Sequence, residues 1–484
     1  MMRGLTIERT ASVLLFALIF ALAARVPVDT DTWWHLRSGD HMLTQGFIYT
    51  DPFSHTMQSQ PWINHSWGAQ IILLAFWRIG GYLGLTIYMA SLATAGMYVL
   101  FRMSAGSAYV RAFVIVIGAT AAAVFWSPRP QMISFFLSTI VLYLLYLYKV
   151  RRIDRVWLLI PLMALWGNLH AGFSIGFIIL GGFIAGEGMQ NLLNPQSADS
   201  LGWRKLGRLV VVAVLSAGAL AINPYGLNML LVPFQTVGIG ALRSFIQEWN
   251  SPNFQERQTW GFIILLFGTL GAIGASKKPL AWSDFILLTG TGFLALTAGR
   301  NIAVFSVIAV PVFAYHVDAA LRERGWIVKT VLRPSPLMAR VNALIVVLAI
   351  LGAGAKTLLV LDDQIVEPEL RRVLPVEAVE YIRRERPADP IFNSYNWGGY
   401  LVYTLPDYPV FVDGRTDLYG DALLTRYLQT ALGSPGWEDT LTEYAINLVL
   451  VETGSGLALR LLDDPAWSLV YDDPLASIYV RETA

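Results

Sequence analysis

The sequence predicts an α-helical polytopic membrane protein of about eleven transmembrane helices, followed by a small C-terminal α/β domain. Three observations predict it. Hydrophobic residues make up 55% of the 484 and charged residues only 14%, more apolar than a water-soluble chain of this size. Apolar stretches approaching the length a bilayer requires, about 20 residues, recur from residue 7 to residue 361. From Asp362 onward the apolar runs shorten to strand length, and Pro, Asp and Gly punctuate them.

The spans are expected near 7–28, 82–101, 112–127, 132–148, 156–169, 171–188, 208–222, 259–275, 281–298, 301–317 and 341–361. The first, with its Ala11–Ala24 apolar run, reads as a retained signal anchor. With the N-terminus in the cytoplasm, Arg3, Arg9, Arg102, Arg111, Lys149, Arg151, Arg152, Arg155, Arg204, Lys205, Arg208, Lys277, Lys278 and the basic residues from Arg322 to Arg340 are inside, 18 in all. The opposite loops carry only Arg25, Arg37, Arg78, Arg129, Arg243, Arg257 and Arg300. The positive-inside rule selects this orientation, and an odd number of spans delivers the C-terminal domain outside. The expected organisation is a transmembrane domain over residues 1–361, with a long first external loop over 29–66, and an extracytoplasmic α/β domain over 362–484. At 38 residues the loop exceeds an ordinary connection and is a functional candidate on length alone. Gly68–Arg78, apolar but too short to span, reads as an interfacial helix closing it.

The net charge of +1 hides two opposite terms: residues 1–361 hold 26 Lys and Arg against 13 Asp and Glu, and residues 362–484 hold 9 against 21. So acidic a tail repels a phosphate backbone, which argues against nucleic acid as its partner. The chain has no cysteine, which rules out disulfides, thiol chemistry and Cys-ligated zinc.

In this orientation the unusual polar residues of the membrane part share the external face: Asp29-Thr-Asp31-Thr-Trp33-Trp34-His35, Trp126-Ser-Pro-Arg129-Pro, Asn168-Leu-His170, Asn223-Pro-Tyr-Gly, Gln247-Glu248-Trp249-Asn and Gly299-Arg300-Asn301. Ionisable groups at a membrane boundary within a bundle are costly and mark sites or pathways. Thr32 reads as the N-cap of a helix running to Gly46, which leaves Asp29 and Asp31 in extended lead-in, where an i, i+2 pair points to one face. Two readings stand: both carboxylates converge on one ligand, one as base and the other orienting it or binding a cation, or one caps the helix and the other is solvated. Trp33 and Trp34 either stack on a sugar or anchor at the interface. His35, His41, His55, His65 and His170 share the external face, as a divalent-cation cluster with the acids or as hydrogen-bonded structural residues. Arg129 and Arg300 end spans, where they clamp a lipid-linked phosphate or snorkel to the interface.

In the tail, strands are expected at 391–393, 410–412, 448–451, 468–471 and 478–480, with helices near 376–386 and 421–431. Its dense polar clusters are Asn396-Trp-Gly-Gly-Tyr400 and Phe411-Val-Asp413-Gly-Arg415-Thr-Asp417. The second reads as a ligand-contacting loop after a strand or as an Asp-Gly turn held by an Asp/Arg pair.

The arrangement resembles the GT-C superfamily of membrane glycosyltransferases, which includes protein O-mannosyltransferases, aminoarabinose transferases and oligosaccharyltransferase catalytic subunits. Asp31-Thr-Trp-Trp-His-Leu, Asp51-Pro-Phe-Ser, Pro61-Trp-Ile-Asn-His-Ser-Trp, Asn168-Leu-His170, Glu248-Trp-Asn-Ser-Pro and Val412-Asp-Gly-Arg415 are similar to uncharacterised bacterial proteins placed with that superfamily. The likeness covers most of the chain. It implies a bacterial inner-membrane protein of the cell envelope, a polyprenyl-phosphate sugar donor, an acidic base in the first external loop at Asp29 or Asp31, and inversion at the anomeric carbon. The Asp-Glu pair of the mannosyltransferase branch and the acceptor-recognition motif of oligosaccharyltransferases are absent.

The expected function is transfer of a hexose or pentose from a polyprenyl-phosphate carrier to an extracytoplasmic glycan, lipid or protein. Asp31 and Asp29 are the catalytic candidates; His35, Trp33, Trp34, Arg129, His170, Glu248, Arg300 and Asn301 are the substrate-binding ones. No resident cofactor or metal is assigned, with a divalent cation as the one open possibility. The rivals are a transporter or flippase for a lipid-linked substrate, and a non-catalytic assembly or binding protein. A transporter sets polar groups near the midplane on repeated, broken helices, a pattern this sequence lacks.

Overall fold

The computed structural model describes residues 5–197, 199–240, 246–326 and 334–482. Arg3, Arg243, Lys329 and Arg333 of the charge argument lie outside the described residues. The chain divides into two compact units, the first made of Met1–Arg25, Thr86–Leu230 and Ile246–Val360, the second of Val26–Leu85, Leu231–Phe245 and Leu361–Ala484.

The first unit is helical, and the protein is an integral membrane protein. Each of the eleven stretches expected to span contains a helix over most of its length. Among the described residues, seven helices are long and apolar enough to cross a bilayer: Trp67–Met103, Ala108–Phe125, Gln131–Lys149, Phe173–Leu193, Arg257–Ala275, Gly299–Glu323 and Pro336–Val360. Ile7–Ala23 and Trp203–Ala219 have 17 residues each and Trp282–Thr297 has 16, a rise of about 25 Å each. The Ile302–Glu323 helix is the core element, buried along nearly its whole length and packed against Ala108–Ala122, Trp260–Ala275 and Trp282–Thr297. Pro336–Val360 is the opposite case. It packs on Ile7–Ala23 yet leaves Leu344, Leu348, Leu351 and Leu358 more than half exposed, a face suited to lipid rather than water.

Gly68–Arg78 is helical, as expected, and lies in a short helix separated from the span that follows it by the non-helical Gly81 (φ 52°, ψ −131°). Only glycine enters that backbone region without strain, and the loss of helical geometry there turns one apolar run into two arms.

The second unit carries a four-stranded sheet of β1 (Ile391–Asn393), β2 (Leu448–Glu452), β3 (Trp467–Asp472) and β4 (Ala476–Arg481) in the order β1-β2-β4-β3. The β1/β2 pair is parallel and the others antiparallel. β1 and β2 are buried almost throughout, as parallel strands covered on both faces are. The strand expected at 410–412 is not one of the four. Its backbone pairs instead with the long first loop: Val410 N–H donates to the Phe53 carbonyl at 3.1 Å and His55 N–H to the Val410 carbonyl at 3.1 Å. The Asn393 side chain joins this pair to β1, donating to the Val412 carbonyl (2.8 Å) and accepting from Phe411 N–H (2.8 Å). A buried amide thus supplies the ladder bonds that a strand would have made.

Candidate functional site

In the second unit the long loop enters the helix Thr32–Thr44, whose N-cap is Asp31 and not Thr32 as the sequence suggested. Thr32 is itself helical and 1% exposed; with Thr32 in the core, the half-buried Asp31 takes the boundary position. Asp31 makes no side-chain capping bond to its own helix. Asp29 Oδ1 accepts from Asp31 N–H at 2.9 Å, so the two carboxylates are linked through one peptide group. The positive end of the helix dipole faces Asp31.

Trp33, Trp34 and His35 are each 5% exposed. Trp33 packs edge-on against Trp77, Tyr82 and Tyr400 and obliquely on Tyr403. Trp34 lies over His35 and meets Trp62, and Gln70 reaches the His35 ring at 3.3 Å. These side chains hold the start of the helix in place.

Asp413-Gly414-Arg415 backs that helix start. A Cβ built on Gly414 would overlap Asp31 Oδ1 and lie 3.1 Å from the Trp34 indole nitrogen, a buried N–H with no hydrogen-bond partner. A Cβ on Gly399 would lie 2.7 Å from the Thr30 carbonyl oxygen and 3.0 Å from Trp34 Cδ1. Two glycines of the tail therefore make the flat surface against which residues 30–34 lie. We expect Gly414→Ala to cost about 1–3 kcal/mol by overpacking and to lower any activity that needs Asp31 in position. Thermal melts of Gly414→Ala, Asp31→Ala and the double variant test the contact; strictly additive losses would sink it.

Arg415, fully buried, closes the same region. Its Nε donates to both Asp413 oxygens (2.9 and 3.0 Å), Nη2 to Asp413 Oδ2 (2.7 Å) and Nη1 to Asp51 Oδ1 (2.5 Å). Asp51, 2% exposed, also accepts from the backbone N–H groups of Phe53 and Ser54. The guanidinium stacks over Trp62 at 4.9 Å and Phe53 at 5.1 Å. Burial works against its charge, but Asp413, Tyr419 and Asp51 outweigh it and raise the Arg415 pKa well above the ordinary range. The Asp/Arg pair expected of the turn is present, with a third member from the first loop. His55 reaches the Ile391 carbonyl at 3.0 Å, and burial lowers its pKa. The Trp62 indole donates to Asp417 at 3.2 Å, and His65 lies 4.0 Å from the same carboxylate.

The first unit holds the other candidates. Glu248, in the short turn Gln247–Trp249, has Arg129 at 3.4 Å on one oxygen and Arg300 at 3.6 Å on the other. Burial raises its pKa, but the two guanidiniums prevail and hold it below the usual carboxylate value. Arg300 stacks over Trp249 at 4.3 Å, and Tyr88 donates to the Arg129 carbonyl at 3.1 Å. Both ion pairs exceed the length of a strong charge-assisted hydrogen bond, and Arg129 Nε also donates to the Ser127 hydroxyl at 3.1 Å. Asn301 and His170 are committed elsewhere: Asn301 donates to the Leu294 carbonyl, and His170 Nδ1 accepts from Gly172 N–H (3.0 Å) and lies 2.8 Å from the Ser134 hydroxyl. The Trp166 indole donates to that hydroxyl, which leaves the hydroxyl proton for His170 and sets the imidazole proton on Nε2.

Among the described residues no three His, Asp or Glu side chains gather as a metal-binding group, and the histidines read as a possible cluster are distributed over separate contacts. Residue by residue, the structure joins Asp29 to Asp31 in one unit and Arg129, Glu248 and Arg300 in the other. Gly399 and Gly414 escaped sequence reasoning as neighbours of Asp31; their only signal was a Gly-Gly and an Asp-Gly inside dense polar clusters.

No family model and no curated protein matches the sequence. Solved structures do. The oligosaccharyltransferase AglB from Archaeoglobus fulgidus, in complex with an inhibitory peptide and a dolichol-phosphate, is 13% identical with a TM-score of 0.58, over 92% of this chain and 69% of that one. ArnT from Cupriavidus metallidurans bound to undecaprenyl phosphate is 14% identical, TM-score 0.51, over 97% of each. The arabinofuranosyltransferase AftD from Mycobacteria is 14% identical, TM-score 0.51, over 98% of this chain; the match spans 40% of AftD's length.

Proposed function

From the GT-C fold that this membrane protein has, we infer that it transfers a sugar from a polyprenyl-phosphate carrier to a glycan, lipid or protein acceptor outside the cytoplasm. The observation that carries the reading is Asp31: an acidic residue at the N-terminus of the first-loop helix, its N–H taken by Asp29 and its carboxylate backed by Gly414. In the reaction, Asp31 takes the proton of the acceptor hydroxyl as its oxygen bonds to the anomeric carbon. The bond from that carbon to the phosphate oxygen breaks, and the electron pair leaves with the polyprenyl phosphate. A single displacement of this kind inverts the anomeric centre. Asp29 is the orienting partner, because its oxygen is committed to the Asp31 backbone. Trp33, Trp34 and His35 keep the helix start rigid, so that the base is positioned before substrate arrives.

Arg129 and Arg300 are assigned to the lipid phosphate. Glu248 contacts both through two long ion pairs, and the donor's phosphodiester offers two non-bridging acceptor oxygens to the same guanidiniums. The leaving phosphate gains charge as the bond breaks, so fixed guanidiniums favour the transition state over the ground state. Arg129→Gln and Arg300→Gln are each expected to weaken donor use by about 10- to 100-fold, the worth of one charged hydrogen bond; full donor use by both would remove this assignment.

The test of the function is reconstitution of the full chain with a panel of labelled polyprenyl-phosphate sugars. Release of sugar from one carrier supports the reading. Movement of intact lipid between leaflets, with no carrier cleaved, would overturn it in favour of a transporter.

A further inference from the structure

A pocket of about 250 Å³ opens in the second unit, away from Asp31 along the same helix. One wall is Arg37 and His41, an i, i+4 pair on one face of the helix, with Gln45 just past its C-terminus. The volume falls below the range of pockets that enclose whole small ligands, about 300 Å³ and up, and suits one ring.

Charge on that wall is unbalanced. Asp40 is the acidic neighbour of Arg37, at 3.5 Å, but its other oxygen is bound by Arg78 at 2.5 Å. One carboxylate thus serves two guanidiniums. The Arg37 side chain lines the pocket and is 24% exposed, so its guanidinium can be reached from solvent. His41 meets the edge of Phe53 at 5.5 Å between ring centroids. Burial and the Arg37 charge lower its pKa against the opposing pull of Asp40, so near neutral pH it offers one donor and one acceptor. Gln45 offers the same pair through its amide.

The remaining walls are stiff and apolar: Phe53 and Pro52 from the first loop, Pro406, Tyr408 and Pro409 from the tail. The Tyr408 hydroxyl is spent on the Pro387 carbonyl at 2.8 Å, which leaves its ring as the surface presented. A cation for one charge, neutral donor–acceptor groups for hydroxyls and flat ring faces for C–H surface form a recognition set for an acidic sugar. A bare phosphate would use the cation and waste the rest.

We propose that this pocket binds one carboxylated sugar residue of the acceptor, with the carboxylate on Arg37, hydroxyls on His41 and Gln45, and the ring face on Tyr408. It names the acceptor class for the glycosyl transfer inferred above and rests on that reading. Binding itself is tested independently of transfer, by ligand-observed NMR on the full chain in nanodiscs with methyl glucuronide, methyl glucoside and inorganic phosphate as probes. The glucuronide should bind wild type. Arg37→Gln should weaken it about 10- to 100-fold, as loss of a charged hydrogen bond does, and Tyr408→Ala and His41→Gln should weaken it less. Glucoside binding as strong as glucuronide, or displacement of glucuronide by phosphate at equal concentration, would overturn the proposal, as would no glucuronide binding to wild type. In the transfer assay, Arg37→Gln should raise KM for an acceptor ending in an acidic sugar and leave kcat at saturating acceptor in place. A wild type that cleaves no carrier but binds glucuronide would overturn the glycosyltransferase reading and keep the pocket.

Discussion

Asp31→Asn is expected to lower sugar transfer by about 10²- to 10⁴-fold, the usual contribution of a general base, with little change in folding. Asparagine has the size and shape of aspartate, so it fits against Gly414, where a Cβ has no room, and no side-chain capping bond is lost with the charge. It cannot take a proton. The loss should fall on kcat with donor binding intact, because the phosphate is assigned to Arg129 and Arg300. Asp29→Asn keeps an oxygen able to accept from Asp31 N–H, so its effect should be smaller. The measurement is transfer by both variants and by the double one, alongside their melting temperatures. Full transfer by both single variants would sink the base assignment.

Arg415→Met should destabilise the second unit by about 3–5 kcal/mol, the cost of leaving a buried partner uncompensated. Asp413 and Asp51 are 0% and 2% exposed and both bind that guanidinium, so its removal strands two carboxylates away from water. Lysine should rescue little. Its single ammonium cannot reproduce donation by Nε and Nη2 to one carboxylate and by Nη1 to another. The first loop should loosen with it, because Asp51 also organises the Phe53 and Ser54 backbone that meets Val410. Limited proteolysis near residues 51–60 and thermal melts read both effects. A variant as stable and as protected as wild type would show the triad to be dispensable. Exchange of all three members for apolar residues of similar volume should restore much of the stability, since the ion cluster's own desolvation cost then disappears.

The helices of the first unit were legible because a spanning helix announces itself in a run of apolar residues, a property of consecutive positions. Four of the five tail strands were legible for the same reason. The fifth, 410–412, was not: its partner is residues 53–55, more than 350 positions away. The capping error at Thr32 has a related cause. Thr and Asp are both good N-caps, and the choice between them is made by burial of Thr32 in the tertiary core.

The candidate site divides along the same line. The sequence alone determined that this is a membrane protein with its unusual acids and arginines at span ends and in one long loop, because hydropathy and charge are written residue by residue. Only the tertiary structure decided that Gly414 and Gly399 lie against the Asp31 segment, that Arg415 binds Asp51 as well as its neighbour Asp413, and that Glu248 lies between Arg129 and Arg300. Steric room and the pairing of buried charges are relations between groups distant in the chain, and no local pattern encodes which distant group will supply them.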